Sequence, residues 1–311
     1  MFDSHQAGWL VITWMSVVGA VIGSFLNVVV YRLPLGMSLI EPPSHCPKCK
    51  HTIRWYDNVP VLGWFLRRGR CRDCGSPISI RYPIVEAITA LIFALMTSYE
   101  YLAEGRNLPK RMIEVAPYVF QTGLSPGEVF AVYLFHLLLL CTLLCAALIE
   151  IDNQRSPLKL FLPALVVGLA APVFWPWLRA MPWRVLPPAF AWSVRPYPLM
   201  GAADGLIGLA AGGAIGGLLW ALARLRTLPG RKNGNVSFSP PTGLLLALSS
   251  VGLFLGWQAV VGLAAAALAV STMNWLLRCV FRRWWQIPAT VWLLTFTLFG
   301  ILFWVRIVTL S

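Results

Sequence analysis

Acidic residues are scarce in this chain. Twelve Asp and Glu stand against 25 Lys and Arg in 311 residues, a formal net charge of +13. Residues 205–311 contain no Asp or Glu at all. Any carboxylate that acts as an acid, a base or a metal ligand must therefore come from Asp204 or from earlier in the chain. Charge of either sign is sparse, at 12 % of residues, about half the share in soluble domains. That excludes a soluble domain with one large core. The chain also lacks the pattern of a cleavable signal peptide. Its first apolar run is long and has no small-residue cleavage site before the next element, so it reads as a first membrane span.

What fills the space is apolar. Hydrophobic residues make up 58 % of the chain, tryptophan occurs 15 times and mean hydropathy is +0.70. This is the composition of a polytopic membrane protein. In a soluble protein the positive balance would raise the question of nucleic acid. Here the basic residues cluster between apolar runs, which positive-inside topology explains better. Aromatic and basic residues do not interleave on a stacking face, so a nucleic-acid partner is not expected.

Eight spans can be placed: Trp9–Val30, Tyr82–Leu102, Glu128–Ile149, Leu160–Trp177, Ala202–Leu222, Gly243–Trp257, Val260–Leu277 and Pro288–Val308. Ser24 and Asn27 in the first are expected to face other helices rather than lipid. Glycines 205, 208, 212, 213, 216 and 217 in the fifth allow close helix approach. The sixth and seventh are expected to join through a short turn. The loop from Pro34 to Arg81 carries Lys48, Lys50, Arg54, Arg67, Arg68, Arg70 and Arg72. Its charge places it in the cytoplasm, with both termini outside. Residues 103–126 read as an external mixed loop and residues 179–199, rich in Pro, Trp and Arg, as an external loop with little regular structure. Arg226, Arg231 and Lys232 mark an internal loop over 224–241; Arg278, Arg282 and Arg283 are internal as well. The fold class is thus an all-α membrane protein of about eight transmembrane helices with a cytoplasmic insertion. Its divisions are a first helix over 9–32, the inserted loop over 33–81 and a seven-helix membrane domain over 82–311.

The insertion holds two Cys-x-x-Cys pairs, Cys46/Cys49 and Cys71/Cys74. Each pair offers two thiolates from one tight turn, and two such turns complete a tetrahedral S4 site for structural zinc. The competing readings are four unrelated cysteines or two disulfides. A disulfide across a two-residue gap is usually redox-active, which a reducing cytoplasmic loop does not favour. Four thiolates leave no coordination position open, so the metal would staple a loop too small for its own core. Cys141, Cys145 and Cys279 lie in apolar runs and read as small buried side chains.

The words around these cysteines carry a resemblance. Gly23-Ser-Phe-Leu-Asn27 leads to Tyr31-Arg-Leu-Pro34, then Ser44-His-Cys-Pro47, Ile53-Arg-Trp-Tyr-Asp-Asn58, Arg70-Cys-Arg-Asp-Cys74, Pro77-Ile-Ser-Ile-Arg-Tyr-Pro83 and Glu86. In this order and spacing they resemble the N-terminal half of the type IV prepilin leader peptidases, densely over about residues 20–90. The resemblance implies a bacterial inner-membrane aspartic endopeptidase that cleaves basic leaders of pilin-like precursors at the cytoplasmic face. It also implies methylation of the new terminus with S-adenosylmethionine, and prepilin-like proteins and the lipid bilayer as partners.

An aspartic protease needs two carboxyl groups that share one proton, one as base for water and the other as acid for the carbonyl. In the family the first follows the third span in an Ile-Asp context, and Ile151-Asp152 matches it. A solvated helix-end carboxylate near Arg155 fits Asp152 too. The Leu-Pro-Asp that follows in the family is replaced by Asn153-Gln-Arg-Ser-Pro157. The second acid belongs to a Gly-x-Gly-Asp motif before the sixth span. Aligning Gly252-Leu-Phe-Leu-Gly-Trp257 with the family's glycine-rich stretch puts Gly243-Leu244 where Gly-Asp is expected, and Leu244 cannot ionise. Gly201-Ala-Ala-Asp204 resembles the motif superficially. However, Asp204-Gly-Leu-Ile-Gly208 better fits the family's opening of the fifth span, at the outer end and about 30 Å of hydrocarbon away. The candidate catalytic residues are therefore Asp152, Asp204 and Glu150. Glu86 is either a functional intramembrane acid or a helix-end carboxylate paired with Arg81 or another loop arginine. A rival function is a non-catalytic membrane scaffold of pilus or secretion assembly that binds pilin-like helices.

Overall fold

The computed structural model describes residues 4–108, 113–114, 120–121, 125–175, 178, 198–226, 242–280 and 288–308. Two compact units divide the chain, Met1–Gly105 and Arg106–Ser311.

The first unit is built on an antiparallel pair, α1 (Ser4–Arg32) and α3 (Arg81–Met96), the latter prolonged by a π turn over Thr97–Tyr101. Small residues let the two backbones close. A Cβ at Gly23 would lie 2.8 Å from the Glu86 Cα and 2.9 Å from the Thr89 hydroxyl, and one at Gly19 would meet Phe93 at 2.7 Å. Asn27 uses its amide across the same interface, donating from Nδ2 to the Tyr82 carbonyl at 3.2 Å. That is the inward role expected of a polar residue in a span, since lipid offers it no partner. Between the helices runs the cysteine loop, whose only helical pieces are a 3-10 turn over Trp55–Asp57 and α2 (Leu62–Leu66).

The second unit holds α4 (Pro126–Ile151), α5 (Leu158–Phe174), α6 (Pro198–Arg226), α7 (Thr242–Leu255), α8 (Trp257–Val280) and α9 (Ala289–Val308). A small antiparallel pairing of Ile113–Glu114 with Phe120–Gln121 stands in the stretch expected to be a loop. α4 begins on a capping box. The Ser125 hydroxyl accepts from the Glu128 N–H at 3.4 Å, Glu128 Oε2 accepts from the Ser125 N–H at 2.7 Å, and Pro126 opens the helix. These groups satisfy donors that a helix start otherwise leaves orphaned. Over its apolar window α4 is 83 % buried, which suits a helix hydrophobic on all sides.

α6 and α7 cross at glycines. A Cβ on Gly208 would overlap the Gly252 carbonyl and one on Gly252 the Gly208 carbonyl, while Gly212 abuts Leu248 and Gly216 abuts Leu245. The pairing runs antiparallel, 208 with 252 and 216 with 245. The turn expected between the sixth and seventh spans shrinks to one residue, Gly256, whose φ of +92° only glycine adopts easily. α8 starts immediately after it.

Among the described residues, an apolar helix stands at each of the expected spans. Three are long and apolar enough to cross a membrane within the described residues: Gln6–Arg32, Arg81–Tyr101 and Pro126–Ile151. The others are shorter apolar helices such as Leu158–Phe174 and Gly243–Leu255. The Pro- and Trp-rich 179–197 stretch, most of the basic 224–241 stretch, Arg282 and Arg283 lie outside the described residues.

Candidate metal centre and carboxylates

Each Cys-x-x-Cys pair sits in the same small loop. In the first, the Cys46 N–H donates to the His51 carbonyl at 2.9 Å and the Lys50 N–H to the Cys46 carbonyl at 2.9 Å. In the second, the Cys71 N–H donates to Ser76 at 2.9 Å and the Gly75 N–H to Cys71 at 3.0 Å. Isolated bridges close both, His45 to Thr52 and Arg70 to Pro77. The residue after the second cysteine is left-handed in both, Lys50 at φ +60° and Gly75 at φ +68°. The two turns are therefore one motif used twice.

The turns face each other. All four sulfurs lie within 4.8 Å of one another. Cys46 Sγ is 3.8 Å from Cys74 Sγ, and Cys49 Sγ is 4.0 Å from Cys71 Sγ. No disulfide joins these four, which are free thiols. Ligands at about 2.3 Å on a tetrahedron stand about 3.8 Å apart, so the donor set fits a tetrahedral cation with thiolate preference. Protonation in the cluster is in conflict. Cys46 is held down to about 5, chiefly by the Ser76 hydroxyl. Cys49 is lowered by the His51 backbone, but burial and the neighbouring Cys46, Cys74 and Cys71 outweigh that and push it up to about 11. Four thiolates so close repel one another until a cation neutralises them.

Ser76 is a member of the site that the cysteine spacing does not show. Its hydroxyl lies 3.1 Å from Cys74 Sγ and 3.5 Å from Cys46 Sγ, linking the two turns. The signal for it is positional: it stands five residues after Cys71, as His51 stands five after Cys46.

Around the cluster, Asp57 gathers the arginines. Arg67 Nε donates to it at 2.9 Å, and Arg72 donates from Nε and Nη2 at 2.7 Å each, with its guanidinium 5.2 Å above the Tyr56 ring. Trp64 Nε1 donates to the Ile78 carbonyl at 3.0 Å. Glu86 ties the loop to α3. Its Oε2 accepts from the Val61 N–H at 2.6 Å, and Val61 holds a left-handed φ of +62°. A β-branched residue is rarely found there. The pairing with an arginine considered for Glu86 is thus replaced by a backbone amide.

In the second unit, Asp152 caps α4. Gln154 N–H donates to Ile149 O at 3.1 Å, Asn153 N–H donates to Glu150 O at 2.9 Å, and Asn153 is left-handed at φ +56°. This is a Schellman ending with asparagine at the turn position. Asp152 is half-buried. Glu150, two residues back, accepts a hydrogen bond from the Thr290 hydroxyl of α9. Residues two apart on a helix do not face each other. The loop after Asp152 brings Ser156, 7 % exposed, against the start of α7, where a Cβ on Gly243 would lie 3.2 Å from the Ser156 hydroxyl. Gly243 and half-buried Leu244 therefore sit at the Asp152 end of the bundle. The glycine register puts position 204 of α6 level with Gly256, at the other end of α7. Thirteen residues separate Gly256 from Gly243, about 20 Å at 1.5 Å each. The fold brings Ser156, four residues after Asp152, against Gly243, and the register puts position 204 at the other end of α7.

The family model described as Bacterial Peptidase A24 N-terminal domain matches residues 17–99, inside the first unit. A prepilin leader peptidase/N-methyltransferase of Myxococcus xanthus is 36 % identical over 52 % of this chain and 41 % of its own length. A type 4 prepilin-like proteins leader peptide-processing enzyme of Escherichia coli is 43 % identical over 30 % of this chain and 41 % of its own. A prepilin leader peptidase/N-methyltransferase of Aeromonas hydrophila is 28 % identical over 83 % of this chain and 77 % of its own. The better-conserved matches thus span less than half of those relatives' length. No solved structure matches. With its paired cysteine turns and the words around them, the chain is similar to the prepilin leader peptidases, most densely over its first unit.

Proposed function

We propose that this chain processes pilin-like precursors in the bacterial inner membrane, with its cysteine loop on the cytoplasmic side. The reaction is cleavage of a basic leader peptide, followed by N-methylation of the new terminus with S-adenosylmethionine as donor. No residue of this chain is assigned to that donor. Zinc is the metal of the four cysteines. It holds the loop together and takes no part in bond cleavage, because four thiolates fill its coordination sphere. The observation that supports the family reading most is the density of matching words in the first unit, joined to a sulfur cluster of tetrahedral size.

Asp152 is the first carboxylate of the proposed site. It stands at a helix end beside Ser156 and the start of α7, where a peptide at the membrane face can reach it. As base it would take a proton from water while a second carboxyl protonates the scissile carbonyl. Glu150 is the nearest further acid in sequence. Its turn away from Asp152 and its bond to Thr290 argue against a shared proton. Asp204, about 20 Å away along the bundle, is the weakest partner.

One observation favours the second reading, a scaffold that binds pilin-like helices without cutting them. The start of α7 carries Gly243 and Leu244, and no Asp or Glu follows Asp204. Co-expression with a prepilin-like substrate decides between the two. Cleavage by the unmodified chain that Asp152→Asn abolishes is expected if the chain is a peptidase; no cleavage by the unmodified chain, with Leu244→Asp gaining cleavage that Asp152→Asn abolishes, is the outcome of the scaffold reading. Robust cleavage by the unmodified chain, insensitive to Asp152→Asn, overturns the assignment of Asp152.

A further inference from the structure

The short helix α2 is amphipathic in the wrong sense for a soluble loop. Its inward residues are Gly63, packed beneath the Asp57 carbonyl, and Trp64, bound through Nε1 to Ile78 O at 3.0 Å. Its outward residues are Leu62, Phe65 and Leu66, at 59 %, 61 % and 79 % exposure. They stand at i, i+3 and i+4 and so share one face. The turn is not loosely held: the Gly63 N–H donates to Val59 O at 2.8 Å, and Arg67 is held by Asp57. Three large apolar side chains are thus presented rigidly on one face.

The depth of this face follows from Glu86. The Val61 N–H, one residue before α2, donates to the Glu86 carboxylate at 2.6 Å. Glu86 lies five residues inside α3 from its start at Arg81. At 1.5 Å per residue that is about 7.5 Å along the helix. The apolar helix from Arg81 to Tyr101 has 21 residues, about the length that spans a hydrocarbon core. The start of α2 therefore sits about 7.5 Å below the end of a span. Interfacial helices insert about 5–10 Å into the boundary of headgroups and acyl chains. Immediately after α2 come the exposed Arg68 and Arg70, the charge that anionic headgroups attract.

We propose that α2 is an interfacial wedge, with Leu62, Phe65 and Leu66 seated among the acyl chains and Arg68 and Arg70 on anionic headgroups. It fixes the height of the cysteine loop against the bilayer through the Val61–Glu86 bond. A basic leader peptide does not suit this face, because it would meet like charge at both arginines.

The test is site-specific photocrosslinking in the full chain, reconstituted in lipid nanodiscs of phosphatidylcholine with or without phosphatidylglycerol. A benzophenone amino acid replaces Phe65 in one variant and Leu66 in another, and intact mass identifies the adduct. Phospholipid adducts are expected at both positions, more in the anionic nanodiscs. That excess should fall about fivefold for each arginine removed in Arg68→Gln and Arg70→Gln. If either variant fails to accumulate, Leu62 provides the same readout. Adducts to a second copy of the chain or to a co-reconstituted precursor, or no adduct at any position, overturn the proposal. Lipid adducts indifferent to both arginines and to phosphatidylglycerol overturn the anionic-surface assignment.

Discussion

The two cysteine turns invite a test with opposite expected signs. Lys50 and Gly75 occupy the same position in each turn, both left-handed, at φ +60° and +68°. A side chain in that region costs about 1–2 kcal/mol, whereas glycine enters it freely but loses about 0.5–1 kcal/mol more chain entropy on ordering. The balance for Lys50→Gly is a gain of about 0.5–1 kcal/mol. For Gly75→Ala it is a loss of similar size. Nothing lies within 4 Å of a Cβ added at Gly75, so no clash obscures the backbone effect. If the proposed metal orders the loop, these energies appear as metal affinity, about two- to fivefold each. The assay is zinc retention by the detergent-solubilised chain against a chromogenic chelator. Lys50→Gly also removes a cation near thiolates, so the reference for it is Lys50→Gln, which removes the charge but keeps the strain. Lys50→Gly should hold zinc two- to fivefold more tightly than Lys50→Gln, and Gly75→Ala less tightly than wild type. Equal retention by the two Lys50 variants, or tighter retention by Gly75→Ala, refutes the strain argument.

Other consequences can be measured directly. X-ray absorption at the zinc edge should give four sulfur neighbours at about 2.3 Å, and Cys71→Ser should lose the metal while the helical signal of the spans persists. Glu86→Ala leaves the Val61 N–H without its acceptor and should lower thermal stability by about 1–3 kcal/mol, while Glu86→Gln, which keeps an acceptor oxygen, loses less. Gly252→Val drives a side chain into the Gly208 carbonyl and should prevent α6 and α7 from packing, read as loss of folded protein after detergent extraction. Ser76→Ala should weaken zinc retention by a few-fold through loss of the hydroxyl shared by Cys46 and Cys74.

Much of this protein is legible in the chain because its strongest signals are local. An apolar run long enough for a bilayer is a property of consecutive residues, and among the described residues three such runs are helices of spanning length, with shorter apolar helices at the other expected spans. A Cys-x-x-Cys turn is equally local, so two of them specify a sulfur cluster once they meet. The Schellman ending at Asn153 and the capping box at Ser125 are also written in a few neighbouring residues. Only the tertiary structure decided which distant groups meet. Glu86 finds a backbone amide rather than an arginine, because Val61 is held in a left-handed conformation beside α3. Ser76 bridges two cysteines that lie 28 residues apart in sequence. The register of α6 on α7, 208 with 252 and 216 with 245, is set by carbonyls that only glycine lets approach. These outcomes depend on the packing of whole helices, and no short stretch of sequence carries that information.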